Sequence, residues 1–423
     1  MRTFRFLDLR NYKKAVLVFV AFVFLHSLMY FDYVNLDPTI YGWVSNGLVL
    51  ILAPLCFFSI GPKKMPASPW LLGLLAVPML SFLPCWLENG QSVFTSARAY
   101  MALWLPLLYY LLHKSKISEK ELVIMITVFA VVRTVITIVQ QFTYPEYLFT
   151  FRPEGLDASG LFKGIERRSG IYRFCIEDTF LSMFLVFYYF WKMTRHYRLT
   201  DLLLFLTGLL GVYLDQTRQL MFSTVVALVL VLVFSVRIKH KWLILLLVAA
   251  IGGIVALNAN TLFEDLLLMT EQELNSDNIR ILSYTTYLLE FWGGPLSVVF
   301  GNGPIGNSSY GQQVLYMYEN MKLFHSDVGI VGAANLYGVV TVLFYLAFLV
   351  FFVFRNWKKF RIHIKMYFVA QLINLPMICI FTQRVNCMIF LAFMLFLCDK
   401  DIKRYDRIIQ CRVSRRISST ASC

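Results

Sequence analysis

Charge is what this sequence has least of. Only 15% of its 423 residues are Asp, Glu, Lys or Arg, against roughly a quarter in a soluble globular domain, while 58% are hydrophobic and the mean hydropathy is +0.64. A soluble fold of this length is excluded on those grounds. The polar–apolar alternation that barrel strands require is missing as well. The 8 cysteines form no CxxC pair and no metal-ligand spacing, which leaves them as soft apolar fillers. The last residues, Thr420-Ala421-Ser422-Cys423, do not make a prenylation box. No internal repeat is visible.

What is present is a succession of apolar runs long enough to cross about 30 Å of hydrocarbon. Backbone groups in lipid must bond within their own segment, so these runs are helices. They fall near 15–31, 43–60, 70–87, 96–112, 121–142, 174–191, 199–215, 219–236, 242–257, 327–354, 366–381 and 383–398. The first run has no small-residue cleavage site and reads as a retained span. The expected fold class is therefore all-α: a polytopic integral membrane protein, residues 1–423 forming a single membrane domain of about twelve transmembrane helices.

The formal net charge of +14 invites a nucleic-acid reading, but the positions of the cations argue for topology instead. Arg2, Arg5, Arg10, Lys13 and Lys14 precede the first run. Further clusters follow at Lys63-Lys64, Lys114–Lys120, Lys192–Arg198, Arg237–Lys241, Arg355–Lys365 and Lys400–Arg416. These are alternate loops, so the positive-inside rule places them, with both termini, in the cytoplasm.

Two exterior segments, 143–173 and 258–326, depart from the pattern and are the expected cover of an active site. The first carries Arg152, Lys163, Arg167, Arg168 and Arg173 among glycines. Closely spaced arginines there can grip phosphate in bidentate fashion or pair with Glu146, Glu154, Asp157 and Glu166. The second begins with an amphipathic acidic stretch, 262–274. A helix capped at Asp277 or Asn278 and running through Phe291 would then align Arg280, Tyr284 and Tyr287 on one face. That stripe suits a sugar phosphate or plain interfacial anchoring. Gly301, Gly303 and Gly306 spell GxGxxG, but a dinucleotide site needs a strand before it and a helix starting within it, and Pro304 and the exterior location argue against both. The stretch reads as a flexible loop, with an anion-binding turn as the alternative.

His325 is the one exterior histidine, set beside Ser326, Asp327 and Glu319, which would orient its ring. Its unperturbed pKa near 6.5 suits a general base. Arg133 lies within the fifth run with no obvious carboxylate to claim it, and Arg218 sits in the short exterior turn 215–219. Membrane arginines are costly and so are functional candidates. Arg98 and Arg384, near exterior ends, can snorkel to the interface. Glu177 and Asp178 are a fallback base, or complement the N-terminus of the sixth helix.

Three regions resemble the O-antigen polymerase and ligase superfamily, over about 160–345. They are Arg168-Ser169-Gly170 with Glu177-Asp178, then Thr217-Arg218-Gln219, then Arg280, Pro295, Phe300-Gly301-Asn302-Gly303 and His325-Ser326 ahead of a span with Gly329, Gly332 and Gly338. Neither Arg152 nor Arg280 has the glycine offset of the paired-loop polymerases. The His325-Ser326-Asp327-Val328-Gly329 pattern looks more like the polymerases than the ligases.

The resemblance implies a glycosyltransferase in the bacterial inner membrane that polymerises polyprenyl-diphosphate-linked repeat units on the exterior face. It implies no cofactor, no metal and no nucleic acid, with a chain-length regulator and a flippase as partner proteins. The implied roles are His325 as base, Arg218 and Arg280 as catalytic clamps on the diphosphate, and Arg152, Arg167, Arg168, Arg173, Arg133, Tyr284, Asp327 and Glu177 in substrate binding. The alternatives are a ligase using the same chemistry and a flippase or transporter, which would line its path with charge through the bilayer depth.

Overall fold

The computed structural model describes residues 9–27, 38–60, 65–144, 167–168, 171–172, 179–215, 217–234, 279–381 and 385–420. These residues are helical apart from turns and one two-residue hairpin. In chain order the helices are α1 (Leu9–Ser27), α2 (Pro38–Ile60), α3 (Ser68–Leu87), α4 (93–114), α5 (Glu119–Thr143), α6 (Thr179–Met193), α7 (Leu199–Leu214) and α8 (Arg218–Phe234). They continue with α9 (279–290), α10 (Pro295–Phe300), α11 (Ser309–Asn320), α12 (Gly329–Phe348), α13 (Ile362–Asn374) and α14 (Val385–Thr420). The hairpin pairs β1 (Arg167–Arg168) with β2 (Ile171–Tyr172).

Among the described residues, three helices are long and apolar enough to cross a membrane: Ser68–Leu87, Glu119–Thr143 and His325–Phe354. Val44–Phe58, Phe180–Met193, Leu199–Leu214 and Arg218–Phe234 are shorter apolar helices. The run at 242–257 and the acidic stretch at 262–274 lie outside the described residues.

The last two expected runs are displaced. The helix expected over 366–381 is Ile362–Asn374 instead. Pro376 has no N–H to continue it, and the Asn374 carbonyl turns to accept from Met377 N and Ile378 N at 2.9 and 2.7 Å. The helix expected over 383–398 runs on to Thr420.

The core forms around α14. Every residue from Met388 to Asp399 is buried, as expected of a helix apolar on all sides. Phe390 meets Phe184 of α6 at 5.8 Å and Tyr367 of α13 at 5.3 Å between ring centroids.

One end of the bundle is locked by ion pairs. Arg361, just before α13, pairs with Glu119 at the start of α5 and with Asp401 of α14. Asp399 accepts from Ala67 N at 2.9 Å and from the Tyr109 hydroxyl. Because α5 and α13 both start at this end, the opposite end carries their C-termini, the 215–219 turn, α9 and the 325–329 turn. The candidate site lies there.

Candidate functional site

The site is built on a helix that breaks. Within α12, Gly338 takes φ 88° and ψ 158°, outside the helical region. The carbonyls of Asn335 and Leu336 therefore lose their N–H partners in the next turn. They accept instead from Asn302 N and Gly303 N, each at 2.8 Å. Gly301 and Gly303 have φ 93° and 95°, a left-handed geometry in which glycine is unstrained. A Cβ on Gly301 would overlap the backbone of Leu336 to Gly338, and one on Gly338 would overlap Phe300. The glycine stretch expected to be a flexible loop is thus a fitted scaffold with positions taken by backbone.

Residues from the α3–α4 connection hold the same segment. Glu88 caps α10 from outside, accepting from Leu296 N and Ser297 N at 2.9 Å each and from Ser297 Oγ at 2.5 Å. Burial acts to raise the Glu88 pKa, but these donors outweigh it and hold the carboxyl below its usual range. Gln91 donates to the Pro304 carbonyl and accepts from Gly306 N and the Ser308 hydroxyl.

Against this scaffold sits His325, only 1% exposed. Its partners differ from those expected. The Tyr318 hydroxyl is 2.8 Å from Nδ1 and Asn335 Oδ1 is 3.0 Å from Nε2, while the Tyr287 ring stacks on the imidazole at 3.8 Å. Ser326 and Asp327 bond weakly to one another, at 3.5 Å, and Glu319 is exposed.

The tautomer follows from the network. Asn335 Nδ2 donates to the carbonyls of Tyr287 and Phe291 at 2.9 and 2.7 Å. Its Oδ1 is thereby fixed as the acceptor, so His325 Nε2 carries the proton. Nδ1 is then the acceptor for Tyr318. Burial pushes the Tyr318 hydroxyl pKa well up, which keeps that proton in place. In this state the imidazole is neutral with both nitrogens engaged, by Tyr318 and by Asn335, in place of the Ser326, Asp327 and Glu319 partners expected from sequence.

The other expected residues divide into three groups. The structure brings Arg280, Tyr284, Asp327 and Arg218 to one end. The α9 helix packs against the 325–328 turn, and the Tyr284 hydroxyl donates to the Pro376 carbonyl. Gly329, with φ 43°, lets Ile330 N reach the Leu375 carbonyl at 3.0 Å. Gln219, next to Arg218, donates to the Ile373 carbonyl at 3.0 Å. Residues 373–376 thus tie together the Arg218 turn, the Arg280 helix and the entry to α12. Arg280, Tyr284, Asp327 and Arg218 are all half-buried. Burial raises the Tyr284 pKa, with Arg280 opposing. Tyr287, in a π-turn over Thr286–Glu290, is fully buried and donates to the Leu323 carbonyl at 2.7 Å, with Tyr284 packed against the same cluster.

Arg133 is held beside the Arg218 turn, and the expectation that no carboxylate claims it is corrected. It is 3% exposed and pairs with Asp215 at 2.9 Å while donating to Ser182 Oγ at 3.0 Å. A buried pair of this kind is a structural element whose halves need each other. The hairpin carrying Arg167 and Arg168 is fastened to α5, where Gln141 exchanges hydrogen bonds with both backbone groups of Tyr172. The side chains of Arg167 and Arg168, and Arg152, Arg173, Glu177, Asp178 and Arg384, lie outside the described residues.

Sequence reasoning missed Tyr318, Asn335, Asn302 and Glu88. Asn335 carried a usable signal, since an amide in the middle of an apolar span is itself exceptional. Among the described residues, no group of three or more His, Cys, Asp or Glu side chains is placed to hold a metal ion. No protein-family model matches the chain, and no curated protein matches it.

Proposed function

We propose that the chain is a multi-pass membrane glycosyltransferase, with about twelve spans, that polymerises polyprenyl-diphosphate-linked oligosaccharide repeat units on the exterior face of the bacterial inner membrane. The observation that carries this reading is the junction at residues 373–376, which tethers the Arg218 turn and the Arg280 helix to the entry of the helix behind His325. Two guanidinium groups from distant parts of the chain suit a diphosphate, and a histidine–tyrosine pair suits an incoming hydroxyl.

In this reading Arg218 and Arg280 hold the diphosphate and stabilise the charge on its departing oxygens. The acceptor hydroxyl attacks the anomeric carbon as the bond to the diphosphate breaks, and the diphosphate leaves with the electron pair. Tyr318 takes the acceptor's proton while passing its own to His325 Nδ1, and Asn335 Oδ1 accepts from Nε2 of the resulting imidazolium. A single displacement inverts the anomeric centre. Arg167, Arg168, Arg152, Arg173 and Glu177 would complete the cover over the glycan, with Arg133 behind the Arg218 turn through Asp215, and a chain-length regulator and a flippase would act beside it.

The test is a gel of surface and lipid-linked glycan from a strain lacking the gene. Single repeat units on the normal acceptor, without a ladder, are expected. Long lipid-linked chains that never reach the acceptor would assign a ligase. Lipid-linked repeats retained on the cytoplasmic side would overturn both enzyme readings in favour of a flippase. In the purified protein, Arg280→Ala is expected to cost about 2–4 kcal/mol of transition-state stabilisation, and Lys at that position should restore little, since it lacks the bidentate fork.

A further inference from the structure

We propose that Asn374 and Gln371, on the inner face of α13, are hydrogen-bonding groups for the sugar adjoining the diphosphate, an inference that rests on the proposed lipid-linked donor. Asn374 is 0% exposed and Gln371 3%. Neither Oδ1 nor Nδ2 of Asn374 has a hydrogen-bond partner, and neither does Nε2 of Gln371.

The backbone around them is fully used by contrast. Ile373 O accepts from Gln219, Asn374 O from Met377 N and Ile378 N, Leu375 O from Ile330 N, and Pro376 O from Tyr284. Buried polar atoms are normally paired, and leaving one unpaired costs the desolvation of that group. Here the whole carboxamide of Asn374 and the Nε2 of Gln371, on successive turns of one helix, have no partner among the described residues at the junction between the Arg218 turn and the Arg280 helix. Leucine has nearly the shape of asparagine and would remove the penalty at once. An amide in such a place is a group awaiting a partner that the described residues do not supply.

The chemistry of the amides narrows that partner. They are neutral and offer donors and acceptors together, which matches sugar hydroxyl or acetamido groups. The charged diphosphate is matched by Arg218 and Arg280 instead.

The experiment uses full-length protein in lipid nanodiscs and two probes: polyprenyl diphosphate carrying one N-acetylhexosamine, and bare polyprenyl diphosphate. Wild type is expected to prefer the sugar-bearing lipid. Asn374→Leu, and separately Gln371→Leu, should cut that preference about tenfold, the factor that one or two hydrogen bonds carry, with affinity for the bare lipid unchanged. The ligand-free Asn374→Leu protein should melt at or above the wild-type temperature, because the unpaired amide is gone. A preference that survives both substitutions overturns this inference alone. A wild type that binds neither lipid overturns the donor reading together with it.

Discussion

Replacing Tyr318 with phenylalanine separates the two things the His325 network can do. The substitution removes one oxygen and leaves the ring. It takes away the donor 2.8 Å from Nδ1 and spares the Nε2 bond to Asn335 and the stack on Tyr287. The buried acceptor left behind should cost about 1–3 kcal/mol of stability. The fold survives that loss, because Asn335 and Tyr287 still hold the imidazole. If Tyr318 relays the proton, the chemical step should slow by roughly 10²–10⁴-fold, the usual contribution of a positioned acid or base. Elongation of purified lipid-linked repeat units, followed under single-turnover conditions, reads the rate, and denaturant titration of the same preparation reads the stability. Losing stability while elongating at the wild-type rate would show that Tyr318 only holds the ring, and would refute the relay.

Three further outcomes follow from the same geometry. Gly338→Ala should be among the most damaging single changes in the chain, because φ is 88° and the added Cβ overlaps Phe300; strain alone costs about 1–3 kcal/mol, read as a fall in melting temperature in detergent. Arg133→Met and Asp215→Leu should each destabilise by about 3–5 kcal/mol, since each strands a buried charge, while the double variant recovers most of the loss; additive losses in the cycle would mean that the pair is not coupled. Glu88 has a pKa depressed by the Ser297 and Leu296 donors, so its contribution is complete above the ordinary glutamate value and is lost as pH falls through the lowered one. Glu88→Gln should therefore flatten the acid limb of the stability–pH curve, and an unchanged limb would place that titration elsewhere.

Much of the architecture was legible in the sequence, because apolar runs of membrane length have one backbone solution. Helices stand where the runs at 70–87, 121–142, 199–215 and 219–236 predicted them. The errors came where a local device overrides hydropathy. Apolar residues continue to Phe381, but the chain turns at Asn374 ahead of Pro376, and only the backbone bonds of that turn reveal it. The Arg280–Tyr284–Tyr287 stripe was read as exposed, whereas Tyr287 is fully buried beside His325. Arg133 looked unclaimed because Asp215 is 82 residues away in the chain. For His325 the partners were sought among neighbours in sequence. Tyr318 lies seven residues before it and Asn335 ten after, each in another helix, a pairing that no local pattern exposes.

Asn335 explains why the glycines and the histidine belong to one device. Its side chain gives both amide hydrogens to carbonyls at the end of α9, and its Oδ1 takes His325 Nε2 and also Asn302 Nδ2 at 3.1 Å. Its own carbonyl takes Asn302 N. That last bond is open to Asn302 because the helix breaks at Gly338, three residues on, which frees the carbonyl from its helical partner. Closing the break would return the carbonyl to the helix, release Asn302, and unseat the turn that carries Gly301 and Gly303. The seat of the Gly301 and Gly303 turn, and with it the Asn302 bond to the same Oδ1 that holds His325 Nε2, therefore depends on a glycine three residues further along the helix. If Tyr318 relays the proton as proposed, Gly338 positions that path, and a variant there should disturb the pH dependence of elongation as well as the melting temperature.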